Sequence, residues 1–270
     1  MNRMAIVRAL EGKAYPDRRV YIQQWLEAHD IPCQVHTYHG GTNLYVKSDR
    51  EQTIGIGTHY DVVPGSPGAN DNASAIAVAF DLLLRHAEQP LERLGLEVFF
   101  FDEEERGMLG SRAYLDHFGL GSLRSLINLE LVGMGDRVAL WPLAADYRSK
   151  LATSMEQVCQ VRQVPCIRFD GILTHDADHS SFRRTGLDEA LTLTIISESD
   201  EAIAYHYLKA QEFDVDDSVL LEIASEAPLF RHYHQSSDTS EHLDERALSL
   251  AADVVWDTIR VLDSTRVRSV

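Results

Sequence analysis

Four short, nearly continuous apolar runs constrain this chain more than any other feature. They are Thr53–His59 (TIGIGTH), Leu94–Phe101 (LGLEVFFF), Leu126–Gly133 (LINLELVG) and Ala190–Ile196 (ALTLTII). Each has strand length, and runs of this kind suit strands covered on both faces. Helical spacing fills the stretches between them. Ala73–Ala87 reads as a helix with Asp71 or Asn72 near its start, and a second helix is expected at about Tyr147–Val161. Asp244–Asp263 forms a long helix with Ala247, Leu248, Ala251, Val254, Val255, Ile259 and Leu262 on one broad face. Asp17–His29 is roughly amphipathic, and QVHTY and NLYV are short strands near the turn signal Gly40-Gly41. Strands alternating with helices predict an α/β chain, a three-layer sandwich with a mostly parallel central sheet. No repeat or low-complexity linker divides the 270 residues, so a single domain over 1–270 is expected.

Composition narrows the class of partner. With 44% hydrophobic and 25% charged residues, the make-up is that of an ordinary globular protein. A net charge of −17 argues against nucleic acid and anionic membranes as partners and mildly favours cations. No apolar run approaches the roughly 20 residues of a membrane span. The first residues lack a signal-peptide core, so a cytoplasmic location is expected. Cys33, Cys159 and Cys166 are odd in number and lack CxxC spacing, which disfavours a disulfide framework or a thiolate zinc site.

Ligands of open parallel sheets sit at the carboxyl ends of the strands, and there the acidic residues and histidines gather. His59 and Asp61 follow the first run, Asp71 lies at the mouth of a helix, Glu103, Glu104 and Glu105 follow the phenylalanines, and Glu130 sits in NLELVG. Downstream, HYHQSSDTSEHLD carries His232, His234, Asp238 and His242. Taken singly, each has a plain structural reading: an edge histidine, a helix cap, a solvated loop. Asp71 is as good a cap as a ligand. Asp61, two residues along, is placed to bind the second imidazole nitrogen of His59. Glu130 in an apolar strand needs a cation or hydrogen-bond donors. Together the clusters supply what a pair of divalent ions sharing one carboxylate requires: two imidazoles, about three carboxylates, and one more carboxylate to move protons. HExxH, P-loop and GxSxG motifs are absent.

In this order, GTHYDVVPGSPGANDNASA, DEEERGMLGS, NLELVG, ADHSSF and YHQSSDT resemble the co-catalytic two-zinc aminopeptidases of metallopeptidase family 28, the bacterial leucyl aminopeptidase type. The resemblance runs from His59 to about Asp244. It implies a zinc-exopeptidase fold and two Zn2+ ions, with Mn2+ or Co2+ as substitutes, acting on a peptide or amide substrate. It further implies that His59 and Glu130 bind one ion, Glu105 and His234 the other, and Asp71 both, with a cis peptide bond after Asp71. Glu104 would be the catalytic base, Asp61 would orient His59, and Tyr233 would help hold the oxyanion. Asp178 would stand behind the ligands, and Phe182 would line the pocket. The family pattern Glu-Glu-x-Gly-x-x-Gly-Ser selects Glu104 to Ser111 and leaves Glu103 over, to face solvent or close a loop. Adjacent residues at a strand end point oppositely, which agrees with different roles for Glu104 and Glu105.

The chain departs from the pattern in places. Glu130 stands where the family's usual residue is Asp, and related aminoacylases with Glu there act on blocked amines. GLDEAL after Gly186 replaces Gly-Ile-Pro-Ala and is expected to reshape the pocket wall. Ser197–Arg231 matches no motif and is a candidate specificity loop. The alternatives to an aminopeptidase are an aminoacylase-type amidohydrolase, a one-zinc glutaminyl-cyclase-like enzyme and a non-catalytic metal-binding protein.

Overall fold

The structure is a computed structural model that describes residues 1–142, 147–169, 176–213 and 215–264. Helices α1 (Arg3–Leu10) and α2 (Tyr15–Ala28) lead into a hairpin of β1 (Gln34–Tyr38) and β2 (Gly41–Val46). Then follow β3 (Thr53–His59), α3 (Ser74–Glu88), β4 (Gly95–Phe101), α4 (Leu109–Phe118), β5 (Leu123–Leu129) and β6 (Arg137–Trp141). The chain continues through α5 (Lys150–Arg162), β7 (Cys166–Arg168), α6 (His179–Arg184) and β8 (Ala190–Ile196). Three further helices, α7 (Glu198–Gln211), α8 (Asp217–Ser225) and α9 (Pro228–His232), precede α10 (Glu245–Ser264). No described helix is long and apolar enough to cross a membrane.

All eight strands form one sheet in the order β1-β2-β4-β3-β5-β8-β6-β7. The four central strands, β4, β3, β5 and β8, run parallel, while β2 against β4 and β6 against β8 are antiparallel. Helices cover both faces, giving the three layers expected of the alternating pattern. The phenylalanine run shows how the layers divide. Successive strand residues point to opposite faces. Phe100 joins the larger core with α3, α5 and α10, whereas Phe99 and Phe101 pack with Tyr114 of α4 and Phe182 of α6. All three rings are fully buried, each stabilising the fold by about 2–3 kcal/mol. Glu97, in the same strand, is compensated by Lys47 at 2.9 Å.

Two sequence expectations shift. The strand expected over Leu126–Gly133 runs from Leu123 to Leu129, so Glu130 lies just beyond it. Its backbone N–H still donates to the Leu193 carbonyl of β8, which anchors it at the sheet's carboxyl edge. Strand β4 likewise ends at Phe101, so the glutamates occupy a turn and alternating strand directions do not set their roles. Ser197–Arg231 is built largely from three helices, α7, α8 and α9, which pack on one another. GLDEAL faces the start of α5: Glu189 accepts the N–H groups of Lys150 at 2.9 Å and Leu151 at 2.7 Å. It holds the start of that helix and is not among the described residues that line the pocket beside the metal centre.

Candidate metal centre

The parallel register brings the strand ends together, since His59 of β3 pairs with Phe101 of β4. The chain then turns at each end and delivers a polar side chain. His59 is 1% exposed. Its Nδ1 lies 3.3 Å from Asp61 Oδ1, so Asp61 reaches the imidazole from beyond the strand, not along it. The Asp61 carboxylate also accepts the backbone N–H groups of Glu104 and Glu105, each at 3.1 Å. It thereby ties the glutamate turn to the histidine strand. Glu103 is buried and, with φ +55°, takes a 2.5 Å hydrogen bond from Arg106. It closes the turn and does not face solvent.

Asp71 occupies a buried turn, Ala69–Ala73, in which it and Asn72 have non-helical backbone angles, and the peptide bond between them is cis. The N-cap of α3 is Ala73, without a side-chain cap bond, so Asp71 is not a cap. The two Asp71 oxygens face different partners. Oδ1 lies 3.1 Å from His59 Nε2, and Oδ2 lies 3.3 Å from His234 Nε2. Glu130 Oε2 is 3.3 Å from His59 Nε2, and Glu105 Oε2 is 2.9 Å from His234 Nε2. Two donor groups result, His59–Asp71–Glu130 and Asp71–Glu105–His234, each with ligand atoms within 4.8 Å of one another. A third, overlapping group is His59–Glu104–Glu105, which puts Glu104 at the same centre. His232 and His242 stack on each other at 4.0 Å and join none of these groups.

Supports behind the donors carry no motif. Asp238 accepts the N–H of Asn70 at 2.8 Å and of Asp71 at 3.1 Å. Asn72 and Asn128 donate to the two Glu130 oxygens at 2.7 and 3.1 Å. Asp178 is fully buried, with no hydrogen-bond partner for either oxygen among the described residues. Tyr233 stacks on the His234 ring at 3.7 Å. Phe182 belongs to the aromatic core with Phe99 and Phe101, not to the pocket.

So many carboxylates in one buried space resist ionising together. Burial raises Glu104 well above its ordinary range, and Glu130 and Asp178 add to the rise. Burial and Asp71 push Glu105 up to about 7, and burial pushes Asp178 up to about 7. Burial opposes the His234 imidazolium, but Asp71 and Glu105 outweigh it and raise the group to about 9. His59 is raised in the same way by Glu130, Asp61 and Asp71 against the effect of burial. Burial also opposes ionised Asp71, yet His234 and His59 hold it below the carboxylate range. The centre therefore draws in positive charge, as protons or as metal ions that displace them. Glu105 Oε1 and His234 Nε2 are buried without an aligned hydrogen bond. Nitrogen and carboxylate donors of this kind fit zinc.

Beside the donors opens a pocket. His59, Asp71, Glu104 and Glu130 form one end, and Trp141, Phe169, Ile196, Leu229 and Phe230 line the rest. Ile203, Ala204 and Tyr207 of α7 and Ala224 of α8 complete the wall. The segment without a motif thus contributes much of the apolar surface. The segment expected as a specificity loop lines the pocket as helices, and which of its residues face inward was not legible, because α7 also carries exposed aromatic and charged residues.

Residues 43–259 match the family described as Peptidase family M28. The chain belongs to peptidase family M28. Its M28 segment contains every donor named above and begins after α1 and α2. Among curated proteins, the chain is similar to Aminopeptidase YwaD of Bacillus subtilis, 28% identical over 207 residues, covering 74% of this chain and 39% of that protein. It therefore spans well under half the length of that M28-like relative. Among solved structures, a zinc aminopeptidase from Bacillus subtilis matches with a TM-score of 0.62 at 21% identity, over 85% of this chain and 52% of that one. Bacteroides thetaiotaomicron glutaminyl cyclase, solved with N-acetylhistamine, matches with a TM-score of 0.71 at 16% identity, over 96% of both chains. These structural likenesses show a shared fold and no more.

Proposed function

We propose that this chain is a two-metal aminopeptidase that removes apolar residues from the N-terminus of peptides. The observation that carries the reading is the Asp71 carboxylate, whose two oxygens face two separate sets of donors. One bridging carboxylate with a His and a Glu on each side is a donor set for two ions. His59 and Glu130 would hold one, Glu105 and His234 the other. When bound, two such ions supply Lewis-acid chemistry, lowering the pKa of a water and polarising a carbonyl.

The remaining steps belong to the protein. Glu104 has its pKa raised by burial, which makes its carboxylate a strong enough base to take the proton of the attacking water. The same carboxyl then returns that proton to the leaving amine. Tyr233, a half-buried phenol beside His234 with its pKa raised by desolvation, stays protonated and donates to the oxyanion. Asp61 keeps the His59 ring and the Glu104–Glu105 turn in one arrangement. The apolar pocket excludes water and receives the side chain beside the scissile bond.

Metal analysis together with a substrate panel tests the reading. We expect two zinc ions per chain and cleavage of leucyl and phenylalanyl anilides that have a free amine. Hydrolysis of only N-acylated substrates would instead assign an amidohydrolase, in keeping with Glu130. Saturation at one ion with cyclisation of N-terminal glutamine would assign a cyclase, the activity of the fold neighbour that matches nearly end to end. Zinc binding without turnover on any substrate would leave a metal-binding protein.

A further inference from the structure

We propose that Arg18 is a positioning residue for the metal centre, fixing the backbone from which Asp71 presents its two oxygens. The proposal rests on the reading of Asp71 as the shared ligand. Arg18 comes from α2, outside residues 43–259 that carry the family match. It is fully buried. Its Nη2 donates to the carbonyls of Pro67 at 2.7 Å and Gly68 at 2.8 Å. Gly68, with φ +65°, immediately precedes the turn Ala69–Ala73 that carries Asp71.

The fit there is close. A Cβ on Gly68 would come within 2.5 Å of Arg18 Nη2 and 2.7 Å of the Asp71 carbonyl oxygen. Guanidinium, glycine and aspartate backbone are packed as one unit. From the other side Asp238 accepts the N–H groups of Asn70 and Asp71. The loop is held between a cation at its carbonyls and an anion at its amides.

Stability alone does not account for this arginine. A buried charge is unfavourable unless well paired, and an apolar side chain of similar volume is often as stabilising. Nε and Nη1 of Arg18 make no hydrogen bond to any described residue. The negative charges facing it are Asp71, Asp238, Asp61 and Glu105, which belong to the centre and its supports. Arginine remains protonated even where burial disfavours the charge. Two effects on metal binding therefore compete. The positive charge repels incoming cations, and the hydrogen bonds hold the shared ligand in place. They predict opposite results when the side chain is removed.

The experiment compares Arg18→Met, Arg18→Lys and a control, Arg3→Met. Arg3 forms a buried ion pair with Asp81 at 2.8 Å in the neighbouring helices and touches no donor. Zinc is titrated calorimetrically into metal-stripped protein, and thermal midpoints, kcat and KM are measured alongside. Zinc affinity is expected to fall about 10–100-fold in Arg18→Met, the usual size for a group behind a ligand. A smaller loss is expected in Arg18→Lys, and guanidinium ion should restore part of the Arg18→Met loss. Arg3→Met should lower the thermal midpoint and leave zinc affinity unchanged. Unchanged or tighter zinc binding in a folded Arg18→Met overturns the proposal, as does an equal loss in Arg3→Met. Should Arg18→Met not fold, wild-type zinc affinity in Arg18→Lys overturns it. Failure of the wild-type protein to bind zinc sinks the shared-ligand reading as well, and is seen before any variant is made.

Discussion

Stripped of metal, the protein is expected to lose stability as pH rises from about 6 to 9, and the contacts of His234 with Asp71 and Glu105 set the size. His234 is raised from 6.5 to about 9 in the folded chain. At about 1.4 kcal/mol per pH unit, that displacement corresponds to about 3 kcal/mol. The His234 side chain is 34% exposed, so solvent screening reduces the figure to about 1.5 kcal/mol. Glu105 is raised from 4.5 to about 7 by burial and by Asp71, while His234 acts to lower it. The two groups share a 2.9 Å contact and titrate as a pair, so the two displacements are not added. Both groups bind their protons more tightly folded than unfolded. The His234 contribution is complete below its unfolded pKa and is lost as pH rises through about 9. The Glu105 contribution is lost as pH rises through about 7, so the two act in the same direction. Urea unfolding of chelator-treated protein at several pH values measures the slope, and a His234→Asn, Glu105→Gln double variant should flatten it. Stability that holds constant or rises over this window would refute the reasoning. Zinc-loaded protein should behave oppositely, because ligands bind metal in their deprotonated forms and the gap over the stripped protein widens with pH.

Two further outcomes test the chemistry and the pocket. Glu104→Gln should keep full zinc content, since Glu104 stands outside both bridged donor sets, and lose about 10²–10⁴-fold in kcat, the range for a missing acid–base group. Near-normal turnover in a metal-loaded sample would remove Glu104 as the base. Ala204→Phe fills space in the apolar wall, so KM for phenylalanyl anilide should rise about tenfold or more while alanyl anilide is little affected. An equal loss on both substrates would mean that the side chain beside the scissile bond binds elsewhere.

Much of the site was legible because its donors come in the right chemical types and chain order. His59, Asp71, Glu105, Glu130 and His234 are all single residues next to strand ends or in short polar loops, and the structure brings all five together. What local pattern could not give was the direction each side chain takes after its strand ends. Glu130 lies past β5 and depends on Asn72 and Asn128, distant or alternate neighbours that no period reveals. Glu103, expected either to face solvent or to close a loop, closes the turn by pairing with Arg106, a choice that local pattern left open. Phe182 carried a motif and went to the core, while Arg18 carried none and lies against the Asp71 loop.

The sequence by itself determined the layers. Apolar runs of strand length and a broad-faced C-terminal helix are local patterns, and burial forces them into a covered sheet whatever the detail of the loops. Tertiary structure decided the rest. Only the pairing of β3 with β4 and β5 sets His59, Glu105 and Glu130 on one edge. Only the return of the chain through α7, α8 and α9 brings His234 to Asp71 and closes the pocket. The reason is physical. Periodicity is written in neighbouring residues, whereas a metal centre is an agreement among residues far apart, fixed by strand register and by buried charges that must find partners.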